Sequence, residues 1–312
     1  MEPFFVATVD DGGGPASAIV SDGQAFLFPG RPSVADLLAD WDEQESHFAD
    51  RLASGSLEDP VPLASVRLLT PVPAPPTLYM VGANYASHTR EMQKLPPDAP
   101  VPRFDEGPYI FFKPASTLVD PGAPIVLPEG YAKVDWEVEL AAVIGRRAHK
   151  VSAADALDYV AGYTVANDVS VRDAFHRTCG DREPPMEWDW FGQKSWVGTL
   201  PIGPWIAPAS LGLDPADVRL TLTVDGETMQ DSRTSEMLFS LAEIVEHIAR
   251  QVPLVPGDII CTGTCAGAGM GRGRFLAPGE EVVATVEGIG ELGNGVVAEA
   301  DADLGAALAT RA

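Results

Sequence analysis

Cysteine is scarce in this chain. Its 312 residues include three, Cys179, Cys261 and Cys265, with no Cys-x-x-Cys spacing. That excludes a disulfide framework and a zinc ribbon, and it points to a reducing, cytoplasmic setting. Basic residues are also few: 21 Lys and Arg stand against 45 Asp and Glu, a formal net charge of −24. A field of that sign repels phosphate backbones and anionic lipids, so neither nucleic acid nor a membrane surface is expected as a partner. No run of about 18 apolar residues occurs, so no membrane-spanning helix is expected. The opening MEPFFVATVDDGGG has no basic n-region and does not read as a signal peptide. An anionic small molecule bound by so acidic a chain needs a metal or locally placed cations.

Apolar residues make up 46% of the chain, enough for a core of ordinary size. Thirty Gly and 28 Pro are scattered through it, which suits many short strands and turns and disfavours a helical bundle. The proline-rich stretch 69–77, LTPVPAPPT, divides a small N-terminal α/β region, 1–70, from a larger domain, 71–312. In the first part, 4–9 and 18–28 read as strands. Residues 33–54 read as a helix, with Ser33 and Asp36 forming a cap. In the second, strands are expected over 77–81, 109–112, 136–144, 162–167, 218–224, 258–262 and 281–287. Asp225-Gly226 marks a hairpin. Helices are expected over 152–160 and 240–251, with capping pairs Ser152/Asp155 and Ser240/Glu243. The fold class is strand-rich α+β.

Three clusters carry candidate chemistry. In Trp136-Glu137-Val138-Glu139-Leu140, residues two apart share a strand face, so Glu137 and Glu139 point the same way. Two such carboxylates, about 7 Å apart along a strand, either bind a hard cation through oxygen ligands or form the solvated face of an amphipathic strand. Asn167-Asp168 ends the run GYTVAN and puts a further carboxylate at a strand end; three carboxylates leave open positions of the kind Mg²⁺ keeps. His88 and Glu91 lie three apart on a short helix over 86–94, where they form either a carboxylate-oriented base or an ordinary surface pair.

Seven motifs occur in the order seen in the fumarylacetoacetate hydrolase family: GANYASHTREM, FFKPAS, WEVELAAVIG, GYTVANDVSVRD, QKSW with PIGPWI, GDIICTGT, and FLAPGEEVVATVEGIGELGNGVV. The chain resembles that family over residues 78–297. The resemblance implies a mixed β-sandwich roll, commonly a homodimer. It implies that Glu137, Glu139 and Asp168 hold Mg²⁺ or Mn²⁺, and that His88 and Glu91 form the catalytic dyad. Lys113, Arg172, Lys194 and Thr264 match positions that contact a 2-oxo acid or stabilise charge, Lys194 among the catalytic residues. The implied reaction is hydrolysis of a C–C bond in a 2,4-dioxo acid of the acylpyruvate type, with water activated by the dyad and the leaving enolate stabilised by the metal. Decarboxylation, isomerisation or hydration of a related 2-oxo acid are alternatives, as is a non-catalytic keto-acid binding protein. Val197 and Cys265 depart from the residues common in the family. The first favours a bulkier or aromatic acyl group set against Trp190 and Trp196, and the insertion 179–189 reads as a lid.

Other signals fail on context. Gly288-Ile289-Gly290-Glu291-Leu292-Gly293 fits a dinucleotide-binding pattern, but a turn and strand follow it where a helix is needed. The glycines of 267–273 lack the Lys-Ser/Thr ending of a phosphate loop.

Overall fold

The computed structural model describes residues 3–55, 57, 59–179 and 186–303. The strand-rich α+β class is observed. A twelve-stranded sheet runs, along its main path from Val61–Pro62, through Gln24–Leu27, Pro15–Ser21, Phe5–Asp10, Leu200–Pro208, Val160–Asn167, Val138–Ile144, Ile259–Cys261 and Leu78–Gly82 to Tyr109–Phe112. A second sheet has five strands: Glu227–Arg233, Arg219–Val224, Glu281–Val286, Gly290–Ala298 and Ile125–Leu127. Most pairings are antiparallel, but Ile259–Cys261 runs parallel to Leu78–Gly82, and Gly290–Ala298 parallel to Ile125–Leu127. Among the described residues no helix is long and apolar enough to cross a membrane.

Val138–Ile144 shows why the site sits where it does. All seven of its residues are buried, so it has no solvent face. Val138, Leu140, Ala142 and Ile144 pack into one core with Leu220, Leu222 and Val282 of the second sheet. Ala141 and Val143 pack on the other side, with Phe4, Leu38, Trp41 and Phe48. The central strands therefore lie between a sheet and a helical layer, as strands buried on both faces must. Glu137 and Glu139 lie on the Ala141 side, and neither is solvated.

The N-terminal strands extend the same sheet: Val6 pairs with Ile206 of Leu200–Pro208. The proline-rich stretch after Arg67–Leu69 is irregular and packed: Thr70, Pro71 and Val72 are buried, and Thr70 gives both its N–H and its hydroxyl to Asp120. The strand expected over 18–28 is a hairpin, because Asp22 and Gly23 both take positive φ (46° and 70°). The same turn chemistry appears at Asp225-Gly226, as expected.

The helix expected over 33–54 is two helices, Val34–Ala39 and Trp41–Ala53. Asp40 breaks it at φ −126°, ψ 42°, and the turn lets Leu37, Leu38 and Trp41 all reach the core. Ser33 and Ser240 make complete capping boxes with Asp36 and Glu243. The 152–160 helix is not formed; only a 3₁₀ turn, Ala156–Tyr159, precedes the strand that starts at Val160. There the Ser152 hydroxyl bonds the Asp155 carboxylate and caps no backbone N–H.

Leu140 is fully buried between the two sheets. Leu140→Ala is expected to lower the unfolding free energy by about 2–5 kcal/mol. The loss is read as a lower urea midpoint at unchanged slope. A loss under about 1 kcal/mol contradicts this packing.

Candidate metal centre and cleft

Two paired strand ends create the centre. In the antiparallel register Val138 faces Asn167, so Glu137 and Asp168 stand opposite each other just beyond the ladder. The backbone closes there: Asp168 N–H donates to Glu137 O at 2.9 Å, and Glu137 N–H donates to the Asn167 side chain at 2.9 Å. Glu139, one pleat further in, adds a third carboxylate to the same face. Donor oxygens of Glu137, Glu139 and Asp168 all lie within 4.8 Å of one another, and all three residues are buried. The solvated-face alternative for the Glu137/Glu139 pair therefore fails.

Three cations surround the cluster. Lys194, closing the short helix Trp190–Lys194, donates to Asp168 Oδ2 at 2.5 Å and Glu137 Oε2 at 2.7 Å. Arg172 donates to Glu137 Oε1 at 2.5 Å and Asp135 Oδ2 at 2.8 Å. Lys113 donates to Asp168 Oδ1, Val169 O and Thr199 O at 2.9, 3.1 and 2.9 Å. Its three N–H donors are thus all engaged. It lies behind Asp168 and off the cleft wall, where a substrate contact had been expected.

Protonation follows from this layout. Burial raises Glu137, but Lys194 and Arg172 outweigh it and hold its carboxyl well below the usual range. Burial lowers Lys194, but Asp168 and Glu137 outweigh it and raise the ammonium. For Lys113 burial prevails over Asp168, and its pKa is lowered. Glu139 is raised well above the ordinary value, by burial first and then by Asp168 and Glu137. Among the described residues no Lys, Arg or His pairs with Glu139; its Oε2 accepts the Gly263 N–H at 2.8 Å. Among the described residues four buried carboxyl groups, counting Asp135, thus face three cations, and Glu139 is the one with no cationic partner. All-oxygen donors, burial and one carboxyl group without a cationic partner fit a hard divalent cation, whose charge would favour the ionised form of Glu139. Each carboxylate oxygen has two lone pairs, so holding a cation does not require breaking the lysine contacts.

The cleft above this cluster is lined by His88, Phe111, Glu137, Asp168, Arg172, Trp190, Lys194 and Thr264, with Val81, Gly82 and Ala83. His88 and Glu91 sit on Ala86–Met92, with Nδ1 3.9 Å from Oε2, too long for a hydrogen bond. His88 Nδ1 is buried without a hydrogen-bond partner among the described residues. Glu91 accepts the Gly267 N–H at 3.0–3.1 Å. Burial raises Glu91, but the His88 imidazole and that N–H outweigh it and lower its pKa. Thr264 reaches the cleft, with its hydroxyl donating to Val138 O at 2.8 Å and accepting from Gln230 at 2.9 Å. Asn84 anchors the segment before the helix: its side chain donates to Phe239 O and Thr262 O and accepts the Phe239 N–H, at 2.8–3.0 Å. Gly263 (φ +93°) is packed beneath it, where a Cβ would meet Asn84 Cβ at 2.9 Å.

Sequence reasoning missed two residues. Asp135 is fully buried and, besides Arg172, accepts the N–H groups of Gly269 and Met270. Its signal was present, because Asp135, Glu137 and Glu139 continue one alternation. Gln230 accepts the Val138 N–H at 2.9 Å and so ties the second sheet to the metal strand; no local pattern marks it. Trp196 was expected on the substrate wall and is not there. Its ring packs 5.0 Å from Tyr131, and its indole N–H donates to Gly192 O. Val197 is half-buried and lines no part of the cleft. The lid expected over 179–189 lies largely outside the described residues.

A mixed strand-rich roll with a buried carboxylate triad below a His/Glu cleft defines a class, and comparison with known proteins agrees. The fumarylacetoacetate (FAA) hydrolase C-terminal family matches residues 77–297. The chain is 40% identical over 239 residues to a mitochondrial oxaloacetate tautomerase of Bos taurus, covering 76% of this chain and 71% of that one. The crystal structure of 5-carboxymethyl-2-hydroxymuconate delta-isomerase from Mycobacterium smegmatis superposes with a TM-score of 0.72 at 33% identity, covering 95% of this chain and 99% of that one. That of maleylpyruvate hydrolase from Sphingobium sp. SYK-6, in complex with manganese(II) ion and pyruvate, gives 0.74 at 26% identity, covering 94% and 99%. The chain belongs to the fumarylacetoacetate hydrolase family.

Glu139→Gln keeps the side-chain shape and removes its charge. It is expected to weaken Mn²⁺ binding at least about tenfold, since losing even a group that only orients a ligand costs 10–100-fold. Calorimetric titration of the folded variant measures it, and an unchanged Kd contradicts the assignment.

Proposed function

We propose that this protein is a metal-dependent enzyme that hydrolyses a C–C bond in a 2,4-dioxo acid of the acylpyruvate type. One observation carries the reading: Glu137 and Asp168, two members of a buried three-carboxylate cluster, line the same cleft as His88, which has Glu91 beside it. Glu137, Glu139 and Asp168 would hold Mg²⁺ or Mn²⁺, a Lewis acid for the 2-oxo acid end of the substrate. A related fold carrying manganese and pyruvate supports this.

The chain's own groups have separable tasks. His88 faces the cleft and takes a proton from water, and Glu91 orients its ring through Nδ1. Catalytic contacts of this kind are often long and tighten around a substrate. Lys194 sits on the cleft wall with a raised pKa, so it stays an ammonium and meets the negative charge that develops on the departing 2-oxo fragment. Arg172 fixes Glu137, and Lys113 fixes Asp168 from behind. These two and Thr264 act as positioning residues.

The likeness to an oxaloacetate tautomerase favours a second reading, in which the same groups move a proton and no bond to carbon is hydrolysed. A panel of 2-oxo and 2,4-dioxo acids, incubated with Mg²⁺ or Mn²⁺, separates the two by mass spectrometry. Water uptake with two fragments supports hydrolysis. Unchanged mass with loss of enol absorbance supports tautomerisation. No change with any acid contradicts both and favours a binding protein.

His88→Ala is expected to lower kcat by about 10²–10⁴-fold, the usual contribution of a general base. Mn²⁺ affinity should stay within about twofold, because His88 is placed as a base and not a ligand. Loss of the metal in this variant overturns the assignment.

A further inference from the structure

One wall of the cleft takes no part in the chemistry above, and it is aromatic. Phe111 and Trp190 line it beside Asp168 and Lys194. Trp190 is the hub: its ring centroid lies 5.0 Å from Tyr109, 5.1 Å from Phe111 and 5.0 Å from Phe175. Phe175 stacks in turn on Trp188 at 4.9 Å. These rings come from three separate chain segments and brace one another, so the wall is formed before any ligand arrives. It grades outward: Phe111 is 7% exposed, Trp190 half-buried, Tyr109 41% exposed. At its inner end Lys194 Nζ lies 5.4 Å from the centre of the Phe111 ring, so cation and apolar face meet at one point. Gly82 keeps the rings uncovered, because a Cβ there would meet Tyr109 Cδ1 at 3.0 Å and Trp190 Cη2 at 3.7 Å.

We propose that this wall selects 2-oxo acids whose far end is flat and apolar, an aryl or conjugated group lying against Trp190. The inference rests on the 2-oxo acid reading above and names its substrate class. An acid held by its oxo and carboxylate groups at the carboxylate cluster extends its chain along this wall. A short aliphatic tail leaves the ring faces wet, whereas a planar tail covers them with the offset or edge contacts aromatic rings prefer. Among the described residues a second carboxylate finds no free partner beside the outer rings. The cations beside the outer rings are engaged, Arg177 with Asp189 and His176 with Glu187.

The test uses the full-length protein loaded with Mn²⁺ and measures Kd by calorimetry. The probes are 2-oxo-4-phenylbutanoate, 2-oxobutanoate and 2-oxoglutarate, none of which has a 4-carbonyl flanking a cleavable bond. The phenyl acid is expected to bind about tenfold more tightly than either of the others. Trp190→Leu should cut that preference below about threefold, and Tyr109→Ala, at an exposed ring, should reduce it without threat to the fold. Circular dichroism melts verify folding. Equal Kd values in the wild type, or an unchanged ratio in folded Trp190→Leu, overturn the inference. If the phenyl preference appears but no 2,4-dioxo acid is turned over, the hydrolase reading falls and this one stands. If acetylpyruvate is cleaved and no phenyl preference exists, this one falls alone. No binding by any of the three acids overturns both.

Discussion

Burial of like charge is the constraint on which the structure turns. Glu137, Glu139 and Asp168 sit where a strand pair ends inside the protein, and carboxylates so placed repel unless compensated. The chain as a whole supplies no relief, since its formal charge is −24. Compensation is local. Lys113 arrives after the edge strand Tyr109–Phe112, Arg172 from the turn after Ser170–Val171, and Lys194 from the helix Trp190–Lys194. Three separate segments must therefore be folded before the charge is balanced, and among the described residues Glu139 still has no cationic partner. Fold and metal affinity follow from one electrostatic requirement.

The same requirement accounts for the layering. A strand carrying two inward acids is stable only if everything around them is held firmly. Val138–Ile144 is covered on both faces by apolar side chains. Gln230 and Thr264 satisfy its first N–H and C=O, so the end of the strand next to the acids has no loose backbone group. The second sheet thus does more than complete a core. It fixes the direction in which Glu137 and Glu139 leave the strand.

Much of this was legible in the residues. The two-residue period gave the Glu137/Glu139 face, the strand-end Asn167-Asp168 gave the third acid, and the three-residue step gave His88/Glu91. Seven ordered motifs gave the family. What was not legible is what depends on partners remote in sequence. Lys113 matches a substrate-contacting position, yet its chain path puts it behind Asp168. Trp196 stands two residues beyond Lys194, yet its ring turns to Tyr131. Gln230 lies 92 residues from the strand it completes. Local pattern was also misleading at residues 152–160, where a Ser/Asp pair resembling a helix cap belongs to a turn, because the strand at Val160 begins too soon for a helix to form.

Asn84 has a consequence for motion. Three hydrogen bonds fasten it to Phe239 and Thr262, and Gly263 allows the close approach beneath it. The chain up to Asn84 therefore belongs to the rigid body of the sheet, while Ala86–Met92 follows only two residues later. Tyr85, fully buried and bridged to Met237, extends that anchor to the foot of the histidine-bearing helix. With the bond from Gly267 to Glu91 released, a helix turned about that anchor would move His88 less than its far end.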